Sequence, residues 1–218
     1  ASSAAIRVTF NSDTGSNYDY NYSLNGANAI LLTADAGTSE TIVIHSDQGT
    51  GASSIKLLSD AGGIELAAAT SAITMTGPVL IDSTPADETV SGTIASFTAG
   101  EDLVRGEVVY FKAADSKMWK AVAAAGSVTP PCVAMAAADI AADAAGNFLL
   151  QGFLADNGTF PAYTIAGTLY TPEAEEGSQN VPEQAAPADD GDLVQILGWA
   201  VTANSVYFRP DSTIVEVA

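Results

Sequence analysis

The chain has 218 residues, enough to bury a core in one large domain or two small ones. It carries 26 acidic against 7 basic residues, a formal charge of −19. That balance excludes wrapping a nucleic acid, which needs clustered Lys and Arg to displace counterions, and excludes adhesion to an anionic membrane surface. Charged residues are only 15%, and small residues are abundant. Such a composition suits tight β-structure better than helices laced with ion pairs. No apolar run approaches the ~20 residues of a membrane span. No basic segment followed by an apolar stretch opens the chain, and the Ala-Ser-Ser start fits a cytoplasmic product whose initiator Met was removed.

Residues 1–40 carry short β-like pieces, Ile6–Phe10 and Ala29–Leu32, around a loop rich in Asn, Ser, Asp and Tyr. They are expected to form an N-terminal arm or docking segment. Asp13-Thr14-Gly15-Ser16 spells the aspartic-protease tetrapeptide. That chemistry needs two carboxylates sharing a proton, and no second copy exists, so a turn is the reading. Tyr18, Tyr20 and Tyr22 alternate onto one face of a strand and suit either a contact surface or a packed strand.

Residues 41–82 form a repeat. Ile42-Val43-Ile44 is followed after 13 residues by Ile55-Lys56-Leu57, then at steps of 9 by Ile64-Glu65-Leu66 and Ile73-Thr74-Met75. Apolar residues at i and i+2 point to one face of a strand. Gly49, Gly62, Gly63 and Gly77 supply the corners. Each short strand offers two or three apolar side chains, too few to bury alone. The face is therefore closed either by a solenoid within one chain or by several chains wrapped together. The shared core is favoured. It predicts a β-prism or β-helix-like homotrimer with Ile42, Ile44, Ile55, Leu57, Ile64, Leu66, Ile73 and Met75 as the core contacts. His45, the only histidine, ends the first strand, and one His without ligand spacing does not make a zinc site or a hydrolase triad.

Asp82–Val90 is a polar joint containing Pro85. Beyond it the predicted strands lengthen: Thr93–Phe97, Glu107–Lys112, Met118–Ala121, Cys132–Met135, Phe148–Phe153, Thr168–Tyr170, Leu193–Val201 and Ser205–Phe208. Asp115-Ser116 and Ala203-Asn204 fit hairpin turns. Ala136–Ala145 fits one or two helical turns. Glu173–Asp192 is expected to be a solvent-exposed acidic loop, mobile unless a neighbouring subunit covers it. The pattern over 91–218 predicts a β-barrel or β-sandwich, so the whole chain is expected to be all-β.

The remaining chemistry-bearing residues favour structural roles. Cys132 is the single cysteine and fits a buried strand position. Asp189, Asp190 and Asp192 surround Gly191 but lack the full pattern of a calcium loop, so a solvated turn is preferred over a weak cation contact. Asn21-Tyr22-Ser23 and Asn157-Gly158-Thr159 match the glycosylation triplet without a secretory signal. No catalytic, cofactor-binding or metal residue is assigned, and no enzymatic activity or cofactor is expected.

Two stretches carry a resemblance. The run IKLLSDAGGIELAAATSAITMTG resembles short β-repeats in trimeric fibres and spikes of tailed bacteriophages. The order of Gly106-Glu107-Val108-Val109, the strand holding Gly152, the Gly167-Thr168-Leu169-Tyr170 strand, Gly198-Trp199-Ala200 and the closing Arg209-Pro210 resembles small β-domains of phage structural proteins. The resemblance covers residues 41–81 and 91–218. It implies a virion structural protein on the outer surface of the particle. A trimeric capsid decoration, or cement, protein contacting the major capsid protein is the first expectation. A tail-fibre, head-fibre or spike component is the alternative, with a host surface glycan as a further candidate partner. A polysaccharide-degrading spike needs facing carboxylates in a groove, usually on a longer solenoid.

Overall fold

The computed structural model describes residues 42, 44, 55, 57, 59, 64–68, 72–126, 131–173 and 180–218. The chain divides into Ala1–Ile73 and Thr74–Ala218. Ten strands are present among the described residues, with no helix: β1 Thr89–Thr98, β2 Val108–Lys112, β3 Lys117–Lys120, β4 Ala134–Ala136, β5 Ala145–Ala155, β6 Thr168–Tyr170, β7 Leu193–Val194, β8 Ile196–Thr202, β9 Ser205–Phe208 and β10 Val215–Glu216. The fold is all-β.

Eight strands make one antiparallel sheet that curls into a half-barrel. The order is β3-β2-β4-β5-β9-β8-β6, and β1 pairs with β5. β5 is the spine. Its 11 residues hydrogen-bond to β1 along one edge, and to β4 and then β9 along the other. The curl needs glycine. Gly152 pairs with Gly92 and with Phe208, and Gly198 also pairs with Phe208. A Cβ on Gly152 would lie 2.2 Å from the Ser91 carbonyl oxygen, and one on Gly198 would lie 1.9 Å from that of Tyr207. Their φ angles, +147° and +137°, also disfavour a side chain.

Two hairpins set the register at the sheet's ends. Asp115-Ser116 turns β2 into β3: the Lys117 N–H donates to Asp115 Oδ1 at 3.2 Å, and Ser116 takes a φ of +58°. Ala203-Asn204 joins β8 to β9, with the Asn204 N–H donating to Thr202 Oγ1.

The sheet buries both faces over β2, β4 and β5. Val108, Met135 and Leu149 point into the curl with Leu154, Leu169, Leu197, Val206 and Phe208. Their chain neighbours Val109, Ala134 and Phe148 point the other way, into a second cluster with Leu103, Met118 and Ile140. Alternation with burial on both sides makes these strands continuous apolar runs in sequence.

Several sequence expectations are corrected. Ala136–Ala145 holds no helix. Ile140 instead forms a bridge to Leu103, each N–H donating to the other's carbonyl at 2.8 Å, and Asp143 takes a φ of +65°. The predicted single strand Leu193–Val201 is broken at Gln195. β7 joins β10 in a separate two-stranded sheet, while β8 joins the main one. Gln195 marks the break because its buried amide accepts from the Cys132 N–H at 2.8 Å and donates to the Cys132 and Asp211 carbonyls. The acidic loop is tied down in its second half: Asn180, Pro182, Pro187 and Asp192 are buried.

Candidate functional site

The eight positions read as assembly contacts are all solvent-facing in the single chain. In the first unit Ile42, Ile44, Ile55, Leu57, Ile64, Leu66 and Ile73 are exposed, and in the second unit Met75 is; the range runs from 49% at Ile73 to 67% at Met75. Val79, Leu80 and Ile81 add to the second unit's exposed apolar residues, Leu80 at 97%. Among the described residues, positions 64–68 and 72–81 belong to no strand. The three-residue strands expected there are not formed within the chain. Segments this short make too few ladder bonds to persist without a neighbour. The apolar side chains of this stretch are left facing solvent.

A second surface was not foreseen. On the outer face of β5, β9 and β8, Phe153, Tyr207 and Trp199 stand in register, Phe153 opposite Tyr207 and Tyr207 opposite Trp199. Their ring centroids are 4.9 and 4.5 Å apart. Trp199 and Ile196 are exposed, and Gln151 donates through Nε2 to the Tyr207 hydroxyl at 3.0 Å. Beside Trp199 lies a notch of about 400 Å³, lined by Ile196, Gly198, Trp199, Arg209, Pro210, Asp211 and Ser212. Gly198 lines it with backbone alone. Three well-separated sequence positions meet here through strand register, which the residues alone do not reveal.

The buried charges hold the fold. Glu107 is fully buried. Its carboxylate receives the N–H groups of Val104 at 2.8 Å and Asn180 at 2.9 Å, with Lys120 Nζ at 3.2 Å. Asn180 Nδ2 donates to the Val108 and Ala121 carbonyls, so the acidic loop is sewn onto β2 and the end of β3. Asp156 is also buried. Burial works against its charge, but the N–H groups of Thr159 and Gly158 and the Arg105 guanidinium outweigh that and hold its carboxyl below the usual range. Arg105 also reaches Glu88 at 3.5 Å. Cys132 is buried, and burial pushes its thiol up to about 12, which leaves it un-ionised and inert at neutral pH.

The acidic cluster differs from the expected one. Glu173, not Asp190, meets Asp189 and Asp192, their carboxylate oxygens within 4.8 Å of one another. Those oxygens already accept backbone bonds: Asp192 from Ala125 and Asp189, and Glu173 from Ala188. Asn157 of the second glycosylation triplet lies in a turn after β5. Asp13–Ser16, the Tyr18–Tyr22 alternation, Asn21, His45 and the whole 1–40 segment lie outside the described residues. No family model matches the chain, and no curated protein sequence matches it.

Proposed function

We propose that this chain is a non-enzymatic structural protein that assembles as a homotrimer, and that it serves as a decoration protein on the outer shell of a tailed bacteriophage. The observation that carries the reading is the exposure of all eight repeat positions, from Ile42 to Met75. A β-branched or leucine side chain gains about 1.5–3 kcal/mol when fully buried. Spaced along one segment and facing solvent, these residues make association favourable and a lone chain prone to stick. Three chains laid side by side give each short strand a ladder partner. The acidic balance then keeps finished trimers apart from one another and from DNA. The bacteriophage setting comes from the resemblance of residues 41–81 and 91–218 to virion β-proteins. Attachment at several shell subunits at once would add modest contacts through multivalency.

Sedimentation of the purified chain tests the assembly. A single species of three chain masses at micromolar concentration is expected, and a stable folded monomer would remove the basis of the reading. Ile64→Asp places an unpaired charge in the shared core, and the trimer is expected to be lost while the sheet of Thr89–Phe208 keeps its melting transition. Location is tested by adding the protein to undecorated shells of the phage that encodes it. Saturable binding at many copies per particle, with a higher rupture temperature, is expected. A few copies confined to the tail would assign it to a fibre instead.

A further inference from the structure

We propose that the notch beside Trp199 is a binding site for a neutral saccharide. The site has the three parts such a ligand requires. The first is an aromatic wall, the ring of Trp199, with the rings behind it tilted by 40° and 49°. Trp199 is exposed, and Tyr207 and Phe153 continue the row at 4.5 and 4.9 Å. A pyranose ring has one face of C–H bonds, which stacks on the electron-rich face of an aromatic ring, while its hydroxyls point outward around the rim. The second is a polar wall facing the rim. Arg209 offers a fork of donors, Asp211 two acceptor oxygens, and Ser212 a hydroxyl. Neighbouring hydroxyls on a sugar present one donor and one acceptor side by side, which matches planar groups of this kind. The third is a floor without a side chain, supplied by Gly198, which the approach of the Tyr207 carbonyl keeps as glycine.

The polar wall is held in place before any ligand arrives. The Arg209 N–H donates to the Leu197 carbonyl at 2.7 Å and the Asp211 N–H to that of Ile196 at 2.8 Å. The Asp211 carbonyl accepts from the buried Gln195 amide at 2.7 Å. The Thr213 N–H fixes the Asp211 carboxylate at 2.9 Å. A wall ordered in advance lowers the entropy lost on binding.

Size and charge select the occupant. A notch of about 400 Å³ falls in the range of small-molecule sites and is too narrow for a helix. An apolar partner would desolvate the charges of Arg209 and Asp211 without offering them new hydrogen bonds. The two charges balance within the notch, and the chain as a whole carries −19, which disfavours an anionic polysaccharide. A neutral sugar meets every wall.

The test is affinity electrophoresis of the full chain through gels holding dextran, mannan, soluble starch or laminarin, with sedimentation of the same samples. Retardation in at least one gel is expected. Trp199→Ala should weaken it about tenfold or more, as for a central aromatic anchor. Arg209→Ala, at an exposed position, should weaken it while leaving melting and oligomer mass unchanged, so the test stands even if Trp199→Ala folds poorly. Absence of retardation in all four gels would overturn the proposal, as would retardation that Arg209→Ala leaves intact. A change of oligomer mass in a folded Trp199→Ala variant would assign the aromatic row to contact between copies and also overturn it. The proposal is independent of the assembly reading, because the Ile64→Asp variant reports on the repeat alone.

Discussion

Residues 42–81 and residues 89–218 are both rich in apolar side chains at alternating positions, yet they meet opposite fates. In the second region each strand has neighbours long enough to share a ladder. β5 alone pairs with three strands, and its Phe148 and Leu149 are buried on opposite faces. In the first region the same alternation leaves Ile64, Leu66, Ile73 and Met75 half exposed or more. The difference is cover, not hydrophobicity. Even the three-residue strands β4 and β6 are held because they lie against longer neighbours, whereas a short segment without cover gains too little to offset the ordering of its own backbone. Apolar alternation therefore marks a core where the chain supplies cover, and an exposed apolar row where it does not.

Three measurements break or sharpen that contrast, beyond those already named. The largest effect is expected inside the curl. Phe208 is 1% exposed and sits between the glycine positions of β5 and β8. Phe208→Ala should lower the unfolding free energy of the sheet by about 3–5 kcal/mol in denaturant titrations. A loss below about 1 kcal/mol would show that the curl collapses around the gap.

A smaller effect is expected at Asp156. Its folded carboxyl titrates below the ordinary 3.8, so the stability it contributes is present above the unfolded pKa and disappears as pH falls through the lower folded value. Asp156→Asn should cost about 1–3 kcal/mol near neutrality. It should also flatten the fall in melting temperature below about pH 4. An unchanged acid limb would mean that other carboxylates govern acid unfolding. The smallest effect is expected at Leu80, 97% exposed. Leu80→Ser should shift the melting free energy by less than about 0.5 kcal/mol. A larger loss, measured on the assembled protein, would place Leu80 in an inter-chain contact and extend the assembly surface past Met75.

Much of the strand layout was legible because turn chemistry is local. Asp115-Ser116 and Ala203-Asn204 announce their hairpins, and β6 has the predicted bounds, Thr168–Tyr170. The misread segments share one cause. AAADIAADAA has helical composition, but Ile140 gains more from the bridge to Leu103 and from burial beside Phe148. Leu193–Val201 is apolar apart from Gln195, and that side chain is drawn into hydrogen bonds with Cys132, 63 positions away. The aromatic row was invisible because Phe153, Trp199 and Tyr207 are ordinary alternating residues until register brings them together.

By itself the sequence determined the all-β class and the acidic balance, because alternation, turn residues and charge act over a few neighbours. Only the tertiary structure decided the curl of the sheet, the anchoring of the acidic loop by Glu107 and Asn180, and the notch at Trp199. Each of those depends on which distant strands pair and in what register, and register is set by the summed burial of whole faces and not by any local signal.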